Sequence, residues 1–159
     1  MKYTDIQIGF QEFPDEISLL INISNCPFHC PGCHSPELWE DIGTELTKKE
    51  LNNLIKSNKG ITCIGFMGGS KDTYNLLNLS IYIRSRFPNI KIGWYTGQSE
   101  IPEIISENLM YFDYIKVGPY IEEKGGLDNP NTNQRFYCVK DRKLVDWTYK
   151  FWKNGNNNK

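Results

Sequence analysis

The chain has 159 residues and a net charge of −1, with no block of basic residues, which fits one domain and excludes the charge pattern of a nucleic-acid-binding protein. The first residues lack the apolar stretch of a signal peptide, and no apolar run is long enough to span a bilayer. We therefore expect a cytoplasmic protein that binds neither membrane nor nucleic acid.

Strand-like and helix-like segments alternate along the chain. Apolar, β-branched runs predict buried strands over residues 17–23, 61–67, 90–95, 114–117 and, more weakly patterned, 136–139. A capping box from Thr47 to Glu50 predicts the start of one helix, a second helix is expected to end before Pro88, and residues 102–109 suit a short third one.

This alternation predicts βαβ units, and hence an α/β fold with a mainly parallel sheet. Right-handed crossovers curl such a sheet toward a barrel, but a complete eight-unit barrel needs roughly 250 residues. We therefore expect an incomplete, open (βα) barrel that forms a single domain over residues 1–153, followed by a polar, disordered tail over 154–159. Ligands of parallel sheets bind at the carboxyl ends of the strands.

Three cysteines follow the first of these predicted strands directly. Cys26, Cys30 and Cys33 have the spacing C-x3-C-x2-C, in a loop that prolines and a glycine make tight. An odd cysteine count with three clustered members argues against disulfides and for metal or redox chemistry. Iron–sulfur clusters are held by thiolates at such short spacings. Three thiolates would leave one iron of a four-iron cluster open to a small-molecule ligand.

A structural zinc site is the alternative interpretation of this loop, with His29 or His34 as the fourth ligand. Two details favour the cluster: no second, separated pair of ligands exists in the sequence, and the loop lies at the edge of the sheet where ligands are expected. Cys63 and Cys138 stand alone, and we expect both to be small core residues.

The cysteine loop resembles the signature of radical S-adenosylmethionine (SAM) enzymes. The finer resemblance is to the activating enzymes of anaerobic ribonucleoside-triphosphate reductase. It extends, in order, over the segments 30–34 with Leu38 and Trp39, 66–69, 94–97, 113–121 and 132–135.

The resemblance implies a radical SAM oxidoreductase with a [4Fe-4S] cluster on Cys26, Cys30 and Cys33 and with SAM as its second cofactor. One electron cleaves SAM, and the resulting 5′-deoxyadenosyl radical takes a hydrogen atom from a glycine of the large reductase subunit. That subunit is the implied partner, together with a low-potential electron donor such as flavodoxin or ferredoxin. No catalytic residue beyond the cluster and SAM is needed.

The same resemblance assigns SAM contacts to six residues, namely Gly32, Cys33, His34, Gly68, Gly69 and Ser70. Glycines suit this role because they let the backbone approach a ligand closely. The related enzymes carry an acidic residue where this chain has Ser70, so that either Ser70 or Asp72 would have to meet the SAM ammonium group.

Two further residues have alternative interpretations. Lys116 either faces the SAM carboxylate or reaches solvent at the rim of the sheet. Trp39 either shields the cysteine loop from solvent or is ordinary packing. At the level of the whole protein, the alternatives are another small radical SAM enzyme, such as one like 7-carboxy-7-deazaguanine synthase, or a non-catalytic zinc or electron-transfer module.

Overall fold

The computed structural model describes residues 1–152, so Lys153 and the predicted tail 154–159 lie outside the described residues. In the described residues, eight strands form one sheet: β1 (Lys2–Gly9), β2 (Ser18–Ile23), β3 (Thr44–Glu45), β4 (Cys63–Met67), β5 (Lys91–Tyr95), β6 (Tyr114–Val117), β7 (Arg135–Lys140) and β8 (Lys143–Asp146). The α-helices of this part of the chain are α1 (Lys48–Ser57), α2 (Thr73–Arg86) and α3 (Glu103–Ser106). Short 3₁₀ helices cover Pro36–Trp39, Leu109–Tyr111 and Thr148–Phe151. None of the described helices is long and apolar enough to cross a membrane.

The centre of the sheet consists of the buried strands that the apolar runs predict. Strands β2, β4, β5 and β6 lie side by side and pair in parallel. Helix α1 begins where the capping box predicts, because the Thr47 hydroxyl accepts a hydrogen bond from the backbone N–H of Glu50 at 3.1 Å. The carboxyl ends of the four strands meet at one edge, directly beside the cysteine loop.

The predicted incomplete (βα) barrel with a mainly parallel sheet is wrong. The sheet has the order β3-β1-β2-β4-β5-β6-β7-β8, and the outer pairs β1–β2, β1–β3, β6–β7 and β7–β8 are antiparallel. Within residues 1–152 only three α-helices accompany eight strands, and one of these has four residues. The connections at both flanks contain no α-helix, so the chain reverses direction there and the strands return antiparallel.

The two faces of the sheet are covered differently. On one face the helices bury a large apolar core against the strands, with Leu19, Ile64 and Trp94 fully inaccessible. On the other face a smaller cluster of buried side chains covers the central strands: Phe13, Leu20, Cys63, Tyr114, Phe136 and Cys138. Cys63 and Cys138 are thus buried core residues, as the sequence predicts.

A buried carboxylate ties the amino ends of these strands together. The Glu16 side chain, whose residue is 6% exposed, accepts hydrogen bonds from Lys91 Nζ at 2.6 Å, Tyr114 Oη at 2.8 Å and Thr62 Oγ1 at 2.6 Å. Burial raises the pKa of Glu16, but the hydrogen bonds from Lys91, Thr62 and Tyr114 outweigh burial and leave the pKa below its ordinary value. The ionised carboxylate is therefore the form that stabilises this edge of the sheet.

We expect Glu16→Gln to lower the free energy of unfolding at pH 7 by about 1–3 kcal/mol, since it removes hydrogen bonds to a charged group. A carboxylate whose pKa is lower in the folded state stabilises the fold at pH values above its unfolded pKa of about 4.3. That stabilisation is lost as the pH falls through the pKa of the folded state. The variant should therefore lose less stability than the wild type between pH 7 and pH 3 in urea titrations. The exposed Glu100→Gln is the control. Identical acid profiles for wild type and Glu16→Gln would contradict the assignment.

Candidate metal centre

The cysteine loop begins after the carboxyl end of β2, and its two ends are hydrogen-bonded to each other. The backbone N–H of Cys26 donates to the carbonyl of Leu38 at 2.9 Å and so closes the base of the loop. Within the loop, the N–H of Cys33 donates to the carbonyl of Cys30 at 3.0 Å and forms a turn. All three cysteines are free thiols with intermediate burial, so the loop presents them without sealing them in the core.

The second half of the loop lies against the segment that follows β6. Gly32 has a φ of +75°, and a Cβ atom at this position would lie 3.4 Å from the Tyr120 ring. The His34 ring also packs on Tyr120, with 5.2 Å between ring centroids. Glycine is favoured at position 32 because the backbone is left-handed there, whereas the Tyr120 ring lies at an ordinary van der Waals distance.

A cavity of about 180 Å³ separates the loop from the carboxyl ends of the parallel strands. Two cysteines line it from the loop side, and backbone that follows β4 and β5 lines it from the sheet side. Its lining residues are Ile23, Cys26, Cys33, Ser35, Leu38, Trp39, Met67, Gly68, Tyr95, Thr96, Gly97 and Lys116. Thiols, the backbone of glycine residues and one amine therefore line the same cavity.

Lys116 supplies that amine, and it is buried rather than directed to solvent at a rim. The residue is 8% exposed, and its Nζ donates to the carbonyl of Gly118 at 2.8 Å. Burial lowers the pKa of Lys116 to about 8, and the negative charge of a Cys30 thiolate opposes that shift. Cys26 and Cys33 line the cavity with this amine, and Cys30 is not among the lining residues.

The glycine pair after β4 is held in place by hydrogen bonds to β5. Gly68 has a φ of +115°, and a Cβ atom there would lie 2.9 Å from the carbonyl oxygen of Ile23. Its carbonyl accepts a hydrogen bond from Trp94 Nε1 at 2.8 Å, and its N–H donates to the carbonyl of Tyr95 at 3.1 Å. Gly68 therefore borders the cavity as bare backbone, whereas Gly69 lines a second cavity of about 350 Å³ beside Met1.

The two residues predicted to replace the usual acidic SAM contact already have partners within the chain. Ser70 Oγ and Thr96 Oγ1 are hydrogen-bonded at 2.6 Å. Asp72 is the N-cap of α2, with Oδ1 accepting from the N–H of Asn75 at 3.2 Å, and it lines the second cavity with Gly69. Neither residue is among those that line the cysteine cavity.

A family described as a 4Fe-4S single cluster domain matches residues 17–135. The chain belongs to this family. The match runs from the strand that precedes the cysteine loop to the first residue of β7, and it supports a [4Fe-4S] cluster as the cofactor. No curated protein and no solved structure matches the chain.

The three thiols of this 4Fe-4S single cluster domain have the donor chemistry that an iron–sulfur cluster requires. In residues 1–152, no three His, Cys, Asp or Glu side chains converge closely enough to hold a single metal ion. Zinc–thiolate bonds of about 2.3 Å would draw the thiols together around one ion. A cubane cluster binds each thiolate at a different iron and does not require all three to meet at one ion.

The two histidines proposed as a fourth zinc ligand pack on aromatic rings. His29 stacks on Trp39, with 4.8 Å between centroids and an interplanar angle of 17°. His34 packs on Tyr120, as described above. The three cysteines of the domain are therefore its candidate cluster ligands, and in that role they would leave one iron without a protein ligand.

Of the residues predicted to contact SAM, Cys33 and Gly68 border the cysteine cavity, whereas the structure places Gly32 and His34 against Tyr120. Sequence reasoning missed the part played by the end of β5. A Cβ atom on Gly97 would lie 2.6 Å from the Phe28 ring, so the cysteine loop packs directly on this glycine. The sequence did contain a signal for this contact, because Gly97 directly follows a predicted strand. A glycine in such a place often marks a point where another segment approaches the backbone closely.

Proposed function

We propose that this 4Fe-4S domain is a radical SAM activating enzyme that generates a glycyl radical on an anaerobic ribonucleoside-triphosphate reductase. The cavity between the cysteine loop and the strand ends is the observation that carries the proposal. It combines two thiols of the C-x3-C-x2-C loop with bare glycine backbone and a buried lysine. A SAM molecule offers an ammonium, a carboxylate and an adenosine, which such a mixed surface can bind.

The domain's own residues would bind and orient the reactants. Cys26, Cys30 and Cys33 would hold the cluster, which when bound and reduced would supply the single electron for reductive cleavage of SAM. Gly68 offers backbone for close approach of the ligand, and Lys116 provides a donor for its carboxylate.

The proposed reaction needs one electron from outside the chain and one hydrogen atom from the partner. A low-potential donor of the flavodoxin or ferredoxin type supplies the electron. In this proposal the hydrogen atom would come from a glycine Cα of the reductase, and the products would be 5′-deoxyadenosine and a glycyl radical. No side chain has to act as acid or base in these steps.

The test is anaerobic loading with iron and sulfide, followed by reduction with SAM and then with the purified reductase. We expect 5′-deoxyadenosine by chromatography and a glycyl radical signal by electron paramagnetic resonance. SAM cleavage without a glycyl radical would contradict the reductase as substrate and favour another small radical SAM enzyme. Bound zinc without iron or sulfide would contradict the radical chemistry altogether.

Lys116→Met separates SAM binding from cluster binding in the same assay. Hydrogen bonds to charged groups contribute about 1.5–3 kcal/mol, and about 1.4 kcal/mol corresponds to a tenfold change in affinity. The SAM dissociation constant of the loaded protein should therefore rise about tenfold or more in equilibrium dialysis, with iron content unchanged. Lys140→Met, whose ammonium lies 4.9 Å from the Trp147 ring centroid, is the matched control and should bind SAM normally. Unchanged SAM affinity in Lys116→Met would exclude the proposed contact.

A further inference from the structure

Trp39 is fixed beside the cysteines by the backbone on either side of it. The backbone carbonyl of Leu38, on one side, accepts a hydrogen bond from the N–H of Cys26. The backbone carbonyl of Glu40, on the other side, accepts one from the N–H of Asn25, and both distances are 2.9 Å. The indole lines the same cavity as Cys26 and Cys33. Its position relative to the two thiols is therefore set by the strand-like pairing of the loop's two ends.

The indole N–H of Trp39 is a buried donor with no acceptor. Within the described part of the chain, Nε1 is shielded from solvent and makes no hydrogen bond. His29 stacks on the ring face, which leaves the N–H at the ring edge without a partner in the protein. Buried polar groups in folded proteins are almost always paired, and an unpaired donor beside a cofactor cavity is available to an acceptor that the cofactor brings.

We propose that the Trp39 N–H donates a hydrogen bond to sulfur at the iron–sulfur site, either cluster sulfide or ligating thiolate, and thereby raises the reduction potential of the cluster. The proposal rests on the cluster that the proposed function requires. A reduced cluster carries one more negative charge than an oxidised one, and much of that charge lies on sulfur. A donor aimed at sulfur therefore stabilises the reduced state more than the oxidised state.

Trp39→Phe tests this because it keeps an aromatic ring for His29 and removes the donor. In the cluster-loaded full chain, we expect the equilibrium for one-electron reduction to become about tenfold less favourable, a shift of about 59 mV to more negative potential. The measurement is an anaerobic redox titration, monitored by the paramagnetic signal of the reduced cluster. Iron and sulfide content should match the wild type.

Trp147→Phe is the matched control, because Trp147 packs beside Tyr114 at the amino end of β6, away from the cysteine loop. Its potential should equal that of the wild type. A Trp39→Phe variant that loads fully and keeps the wild-type potential would overturn the proposal.

A second measurement covers the case in which Trp39→Phe does not load. Wild-type protein labelled with ¹⁵N in the tryptophan indoles should show an isotropic hyperfine coupling to the reduced cluster in pulsed paramagnetic resonance. Trp94 is a poor source of such coupling, because its Nε1 already donates to the Gly68 carbonyl at 2.8 Å. Absence of the coupling would overturn the proposal. Neither readout depends on SAM cleavage, so a failed glycyl radical assay would not contradict the proposed hydrogen bond. Absence of the hydrogen bond would likewise not contradict the proposed activase function.

Discussion

Replacement of Cys30 by alanine is expected to remove the bound cluster and, with it, SAM cleavage. A four-iron cluster on three thiolates has no spare ligand, so losing one leaves two irons without protein ligands. Loss of an outer-shell partner alone costs about 10–100-fold in metal affinity or activity, so loss of a ligand should exceed about 100-fold. Iron and sulfide analysis after anaerobic loading, followed by measurement of 5′-deoxyadenosine, checks both parts of this expectation.

Cys138→Ala is the matched control for that experiment. Cys138 is buried on β7, within the small apolar cluster that covers the face of the sheet opposite the helices. Its alanine variant should load and cleave SAM like the wild type, whereas Cys26→Ala and Cys33→Ala should behave like Cys30→Ala. If Cys30→Ala retained a full cluster and wild-type cleavage, the assignment of ligands to this loop would be wrong.

The central strands and two main helices could be predicted because their signals are local. Continuous apolar runs specify strands that are buried on both faces, and the capping box at Thr47 specifies where α1 begins. The flanking strands give weaker signals. Strand β1 mixes polar and apolar residues, and all four residues of β8 are exposed, so neither produces an apolar run. The antiparallel flanks were therefore missed, and with them the mixed sheet.

The turn between β7 and β8 shows why that hairpin was not visible in the sequence. Asp141 and Arg142 both have positive φ, at 50° and 60°. Two-residue turns of this kind usually have glycine at the second position, where this chain has Arg142. Pairing with β7 and the surrounding packing impose the left-handed conformation, so tertiary contacts here override local preference.

The candidate site was predictable in its chemistry but not in its detailed contacts. The spacing of the three cysteines indicates a metal site that is either a cluster or zinc, and the family match is what supports the cluster. Which glycine faces the cavity depends on hydrogen bonds across neighbouring strands, such as that from Trp94 to Gly68. The hydrogen bond between Ser70 and Thr96 likewise joins residues 26 positions apart, a contact that no local pattern encodes.

Phe13 links the stability of the sheet to the position of the site. It is fully buried on the face opposite the helices, and a Cβ atom on either Gly65 or Gly93 would collide with its ring. The ring also packs edge-on against Tyr95 at 5.3 Å, and Tyr95 borders the cysteine cavity. The glycines in β4 and β5 thus make room for one side chain, which lies outside every predicted element.

Phe13→Ala is therefore expected to lower the free energy of unfolding by about 3–5 kcal/mol, because the glycines beneath the ring cannot fill the cavity it leaves. That loss is a large part of the roughly 5–15 kcal/mol that stabilises a typical domain. Urea titration of the metal-free protein measures it. Phe10→Ala is the matched control, since Phe10 is 66% exposed three residues earlier in the same loop and should change stability by no more than about 0.5 kcal/mol. Equal effects of the two substitutions would mean that Phe13 does not hold this face of the sheet together.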